Sequence, residues 1–145
     1  MKCKIVVDKD HEEGVWIYVK ERSEEAERLV RLIEEPRLQE IQGYRDREAI
    51  ILSLDEIYCF IVEGGKVYAL TENERLQVKE RLYRIEESAD GFVKLNQSCI
   101  ANIKKIKSFD ASISGTLTVT FKNGYRDYVS RRQLKAVKER LGLKI

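Results

Sequence analysis

The sequence is poor in the residues that most enzyme chemistry needs. Its 145 residues hold one histidine, His11, set in the acidic turn Asp8-Lys9-Asp10-His11-Glu12-Glu13, far in sequence from any nucleophile it could activate. Cysteine is scarce and odd in number. Cys3, Cys59 and Cys99 stand far apart without paired spacing, which argues against a disulfide framework or a zinc site and for a reducing, cytoplasmic setting. The three thiols read as buried small hydrophobes, and Ser98-Cys99, although in a lysine-rich neighbourhood, has no local base. No run approaches the roughly 20 apolar residues of a membrane span, and the apolar stretch after Met1-Lys2-Cys3-Lys4 is too short for a signal peptide. Gly64-Gly65 lacks the spacing of a phosphate-binding loop. Adjacent acids such as Glu86-Glu87 sit on a helix surface. The expectation is a protein that is not an enzyme, with no metal and no cofactor.

Charge is abundant, and it is divided along the chain. From Gly91 to the C-terminus twelve Lys and Arg face three acids, a balance of +9, whereas residues 1–90 carry 15 bases and 22 acids, a balance of −7. The formal net charge of +2 hides this division. A basic block that also shows strand and helix patterns is a folded surface suited to an anion, and nucleic acid is the commonest large one. A solvated charged face is the alternative that charge alone leaves open.

Segments 3–7 and 14–20 are β-rich, with Val15, Ile17 and Val19 alternating against Trp16 and Tyr18. Ser23 then offers a helix N-cap before Glu24 and Glu25, and Ala26, Leu29, Val30 and Ile33 form an amphipathic stripe that Pro36 stops. Residues 1–37 thus read as a small β-β-α extension, a dimerisation or input surface, ahead of a domain spanning 38–145. In that domain the texture is short strands: 38–43, 49–54, 57–62, 66–70, a strand around Leu76 and Val78, 92–95, 100–103, 106–109, 116–121 and 125–129. Gly64-Gly65 marks one hairpin, and Asn123-Gly124 marks another of type I′. Thr71 to Glu74 suits either a capping box or a tight turn. A short helix fits 81–88. Ser130 with Gln133 forms a capping box for a last helix that buries Leu134, Val137 and Leu141 and ends at Gly142. The fold class expected is mainly β (α+β), with short antiparallel strands in small stacked sheets and few, short helices.

Arg131 and Arg132 break a local rule, because the first turn of a helix is electropositive and prefers acids. Such violations tend to mark function. Two guanidinium forks beside helix N–H groups make a strong pole for phosphate, and arginine also reaches guanine O6/N7. The bland alternative is an exposed turn. Asn96-Gln97-Ser98 suits a loop tip in which Ser98 meets phosphate while Asn96 and Gln97 meet base edges, or an ordinary turn. Lys104 and Lys105 suit phosphate contacts or plain solvated charge.

The run Phe92-Val93-Lys94-Leu95-Asn96-Gln97-Ser98-Cys99-Ile100-Ala101-Asn102, the Lys122-Asn123-Gly124 turn and Tyr128-Val129-Ser130-Arg131-Arg132 together resemble the LytTR DNA-binding domain family. Leu54-Asp55-Glu56-Ile57 and Gly65-Lys66-Val67-Tyr68 are similar to its opening strands, so the resemblance spans about residues 38–142. It implies duplex DNA read by loops rather than by a recognition helix. By resemblance, base reading falls on Lys66, on Gln97 beside Asn96, and on Arg132. Phosphate contacts fall on Ser98, Ser130 and Lys135, with Arg131 and Asn102. Asn96 stands where the family often has His, and Ala101 where it usually has Val. Residues 1–36 are too short for the phosphoacceptor receiver that many members carry. The resemblance therefore implies a stand-alone regulator, acting as a homodimer on paired half-sites, with a small membrane regulatory protein as a partner. The rival readings are an RNA-binding module, which wants exposed aromatics, and a protein-interaction domain whose basic half docks an acidic partner.

Overall fold

The computed structural model describes residues 2–34, 37–112 and 114–145, which fall into two compact units, Met1–Glu34 and Glu35–Ile145. In the first unit the expected helix forms. α1 (Glu24–Glu34) starts where Ser23 Oγ accepts a hydrogen bond from the Ala26 N–H at 3.2 Å, with Glu24, Glu25 and Glu27 in its electropositive first turn. The two expected strands do not: residues 2–22 contain no β-strand, and Ile5 and Tyr18 are 93% and 92% exposed. Alternation supplies a strand's two faces but not the second strand that pairs its N–H and C=O groups, and an isolated hairpin is marginal in water. Pro36, expected to stop α1, lies outside the described residues.

In the second unit every expected strand is present, to within two residues at each end. The elements are β1 (Glu40–Arg45), β2 (Glu48–Ser53), β3 (Cys59–Glu63), β4 (Lys66–Leu70), β5 (Arg75–Val78), α2 (Leu82–Ser88), β6 (Phe92–Asn96) and β7 (Cys99–Asn102). They continue with β8 (Ile106–Ala111), β9 (Leu117–Phe121), β10 (Arg126–Val129) and α3 (Arg131–Leu141). Seven strands form one sheet in the order β2-β1-β5-β4-β3-β7-β6, and three form a second in the order β10-β9-β8, with antiparallel pairing throughout both.

Strand β3 shows why the larger sheet is covered on both sides. Successive side chains alternate across a sheet. Cys59 and Ile61 join Leu95 and Cys99 in a core closed by Val119 and Phe121 of the small sheet and Val137 of α3. Phe60, between them, enters the opposite core with Ile100, Leu76 and Ile85 of α2. Burying side chains of this size stabilises by roughly 1.5–3 kcal/mol each, so Phe121 and Val119, both at 0% exposure, anchor the small sheet and α3 to the large one.

Two turns settle open points. Gly64 and Gly65 have φ of 59° and 76°, the pair of positive values that a two-residue hairpin of type I′ requires, and they set Glu63 opposite Lys66. Thr71 to Glu74 is a tight turn, in which the Thr71 N–H donates to the Glu74 carbonyl at 2.9 Å. The Asn123-Gly124 hairpin forms, but not as type I′. Only Gly124 has positive φ (90°), and the Gly124 N–H donates to the Phe121 carbonyl, which makes a longer loop. Asn123 keeps negative φ because its side chain is in use: Oδ1 accepts from the Tyr125 N–H and Nδ2 donates to the Thr71 carbonyl, each at 3.0 Å.

Candidate nucleic-acid interface

Three connections of the second unit meet at one end of the large sheet, and backbone hydrogen bonds hold them there. β3 and β7 are antiparallel neighbours, so the hairpin after β3 lies beside the turn before β7; the Val62 N–H donates to the Ser98 carbonyl at 2.9 Å. The junction between β10 and α3 joins the same end, where the Ser130 N–H donates to the Leu95 carbonyl of β6 at 2.9 Å. β4, β3 and β7 are consecutive strands, so Lys66 stands about 10 Å from the Gln97-Ser98 turn.

The side chains gathered here are Lys66, Gln97, Ser98, Arg131, Arg132 and Lys135, all exposed, with Ser130 half-buried. Glu63, opposite Lys66 in the hairpin, is paired with Arg75 from β5. Ser130 occupies the N-cap position of α3, yet its side chain makes no capping hydrogen bond, contrary to the capping box expected with Gln133. The Gln133 N–H instead donates to the Ser130 backbone carbonyl at 3.0 Å, closing the first turn tightly. The Ser130 hydroxyl is thereby left for another acceptor or donor, beside two arginines at the electropositive end of an 11-residue helix. That combination suits a phosphate oxygen.

Two expected contacts are corrected. Asn96 is 4% exposed, and its amide is consumed internally: Nδ2 donates to Asp127 Oδ1 at 2.9 Å and to the Tyr128 carbonyl at 2.8 Å, while Oδ1 accepts from the Ser98 N–H at 2.8 Å. The amide is thereby withdrawn from outside partners, whereas Gln97 is exposed at the same turn. Asn102 is 5% exposed and lies at the other end of β7; Nδ2 donates to the Ile57 carbonyl at 2.9 Å and Oδ1 accepts from the Lys104 N–H at 3.1 Å. It braces the fold and offers nothing to a phosphate. Lys104 and Lys105 follow it in the 3-10 turn Ile103–Lys105, so the structure does not bring them to the cluster; Lys105 Nζ lies 5.1 Å over the Tyr58 ring. That far end carries an open groove of about 440 Å³ lined by Asp55, Glu56, Glu72 and Glu74 as well as Lys105, a setting that repels a polyanion.

Asp127 was not singled out by sequence, nor was Tyr125 as its partner. Asp127 Oδ1 accepts from Asn96 and from the Tyr128 N–H at 2.8 Å, and Oδ2 accepts from the Tyr125 hydroxyl at 3.0 Å. Burial first, then the Asp127 carboxylate, pushes the Tyr125 hydroxyl well above its ordinary pKa, so it stays protonated as a donor. The only sequence signal was the i, i+2 spacing that puts Tyr125, just before β10, on the same side of an extended chain as Asp127. Cys99 is held protonated by its hydrogen bond with Cys59 and by burial, so it is an inert core thiol.

Comparison with known proteins agrees with this architecture. Residues 47–142 match the family model of the LytTr DNA-binding domain. Proteins named as uncharacterized HTH-type transcriptional regulators in Staphylococcus aureus strains NCTC 8325 / PS 47 and bovine RF122/ET3-1 are each 32% identical over 102 residues, covering 70% of this chain and 69% of theirs. Among solved structures, the LytTr DNA-binding domain of a Bacillus cereus protein superposes with a TM-score of 0.69 at 20% identity, over 73% of this chain and 99% of that one. Here α2 and α3 are separated by five strands, so the described residues contain no helix-turn-helix pair. With the family model spanning most of the second unit, the chain belongs to the LytTr DNA-binding domain family.

Proposed function

We propose that this protein is a sequence-specific, duplex-DNA-binding transcriptional regulator that reads the major groove with loops. The observation that carries the reading is the convergence of three loops, each bearing exposed polar or cationic side chains, at one sheet end opposite an acid-lined groove. Lys66, Gln97 and Arg132 meet base edges. Ser98, Ser130, Arg131 and Lys135 meet phosphates and fix register. Two copies act together on paired half-sites and bend the DNA between them, with residues 1–37 supplying the self-association or input surface. The regulator works in the cytoplasm, and a small membrane protein restrains it.

Dimethyl sulfate protection tests base reading directly. Wild type shields guanine N7 atoms at discrete positions of its operator, and Arg132→Ala loses protection at one guanine per half-site while the others persist. Uniform loss or no change at every guanine counts against loop reading. Competition with single-stranded RNA separates the RNA-binding reading, which predicts that RNA displaces the duplex.

A further inference from the structure

We infer that Asn96 and Asp127 form a clasp that makes the β6–β7 turn and the start of α3 one reading unit, setting base specificity without touching DNA. The inference rests on the DNA-reading proposal above and assigns the pair a positioning role within it. The two loops are remote in sequence, and among the described residues the polar ties between them, apart from the Ser130–Leu95 backbone bond, run through Asn96. Its two donor bonds go to β10, at Asp127 and at the Tyr128 carbonyl, two residues before Ser130. Its acceptor bond goes to the Ser98 N–H, inside the turn that presents Gln97. One amide therefore grips both reading loops.

A separate observation explains how the chain presents Gln97 while burying its neighbour. The β6–β7 register shifts between Lys94 and Asn96. Such an irregularity re-aims side chains locally. Asn96 turns into the protein at 4% exposure, and Gln97 and Ser98 turn out. Asp127 is held in turn by the Tyr128 N–H and the Tyr125 hydroxyl, so the carboxylate cannot swing away without losing three hydrogen bonds. Bonds to a carboxylate in a partly buried network are the strong kind. A base reader must be held to within a fraction of an ångström, and that precision comes from the supporting shell.

The test uses the full chain with Asn96→Ala and Asp127→Asn, and Tyr125→Phe as a milder third variant. The first readout is the ratio of affinities for the operator duplex and a scrambled duplex. Asn96→Ala and Asp127→Asn each lower that ratio about tenfold while binding to the scrambled duplex and its salt slope stay at wild-type values, because the arginines and Lys135 remain. Their combined effect is less than the product of the single effects. The second readout needs no DNA: hydrogen exchange at the Ser98 amide, which Asp127 does not touch, speeds up in Asp127→Asn. A preserved ratio in a folded variant, with Ser98 exchange unchanged, overturns the clasp. If Asn96→Ala fails to fold, Asp127→Asn decides alone by the same two readouts. A wild type that shows no duplex preference sinks the DNA reading, while the exchange result still decides whether the loops are coupled.

Discussion

Replacing Asn102 with alanine separates bracing of the fold from contact with phosphate, because the two roles predict opposite results. The side chain is 5% exposed; it donates to the Ile57 carbonyl at 2.9 Å and caps the 3-10 turn through the Lys104 N–H at 3.1 Å. Its 3.5 Å approach to the Leu54 carbonyl adds little, since the Ile57 N–H already serves that oxygen. Stranding a buried carbonyl costs about 1–3 kcal/mol, and losing a cap costs about 1 kcal/mol. The sum is about 2–4 kcal/mol, which at a urea m-value of ~1.5 kcal/mol/M lowers the unfolding midpoint by roughly 1–3 M. Urea titration followed by far-UV circular dichroism measures it. DNA affinity per folded molecule, and its dependence on salt, stay as in wild type. An unchanged midpoint together with weaker binding to every duplex, at an unchanged salt slope because the amide carries no charge, would mean that Asn102 meets a phosphate after all.

On the proposed reading Lys135 meets one phosphate, so in Lys135→Ala the slope of log K against log salt falls by about 0.9, and the affinity ratio between 50 and 200 mM salt shrinks about 3.5-fold; anisotropy titrations at the two salts check this. Thiol titration of the native protein with an aromatic disulfide labels Cys3 quickly and spares Cys59 and Cys99, which are fully buried; rapid labelling of all three counts against the core described. Arg37 beside Asp90 holds that carboxyl below the usual carboxylate range, first through the hydrogen bond. With the folded-state pKa depressed, the pair's contribution is present above the ordinary carboxylate pKa and is lost as pH falls through the lower folded value. Asp90→Asn therefore flattens part of the acid limb of the stability–pH curve and leaves the neutral region nearly level, a small effect because the carboxylate is exposed.

The strands of the second unit were legible because each carries alternation and is bounded by turn residues, and because partners exist to complete the ladders. The segments 3–7 and 14–20 carry the same alternation and form no strand, since pairing is a property of two segments and a pattern describes one. The arginines of α3 were legible as a violation of helix electrostatics. The asparagines were not. Asn96, Asn102 and Asn123 each accept a hydrogen bond from the backbone N–H two residues on, at Ser98, Lys104 and Tyr125. That local turn is a preference of asparagine, but the same residue on a loop tip is also a reader of adenine. Burial decides between the roles, and burial depends on β10, which lies about 30 residues further along the chain from Asn96. Lys104 and Lys105 show the same limit: they are eight residues or fewer from Gln97 in sequence and at the opposite end of β7 in space.

Base reading at one sheet end is decided by fluorescence anisotropy. The titration uses duplex DNA from upstream of the protein's own gene and a scrambled control, at about 50 and 200 mM salt, with Arg132→Ala and Lys104→Ala beside wild type. If this sheet end reads bases, wild type prefers the native duplex at both salts, Arg132→Ala loses the preference, and Lys104→Ala, at the far end, keeps it. Weak binding, equal for both duplexes and erased by the higher salt, would rule out base reading and leave the basic cluster as a charged face.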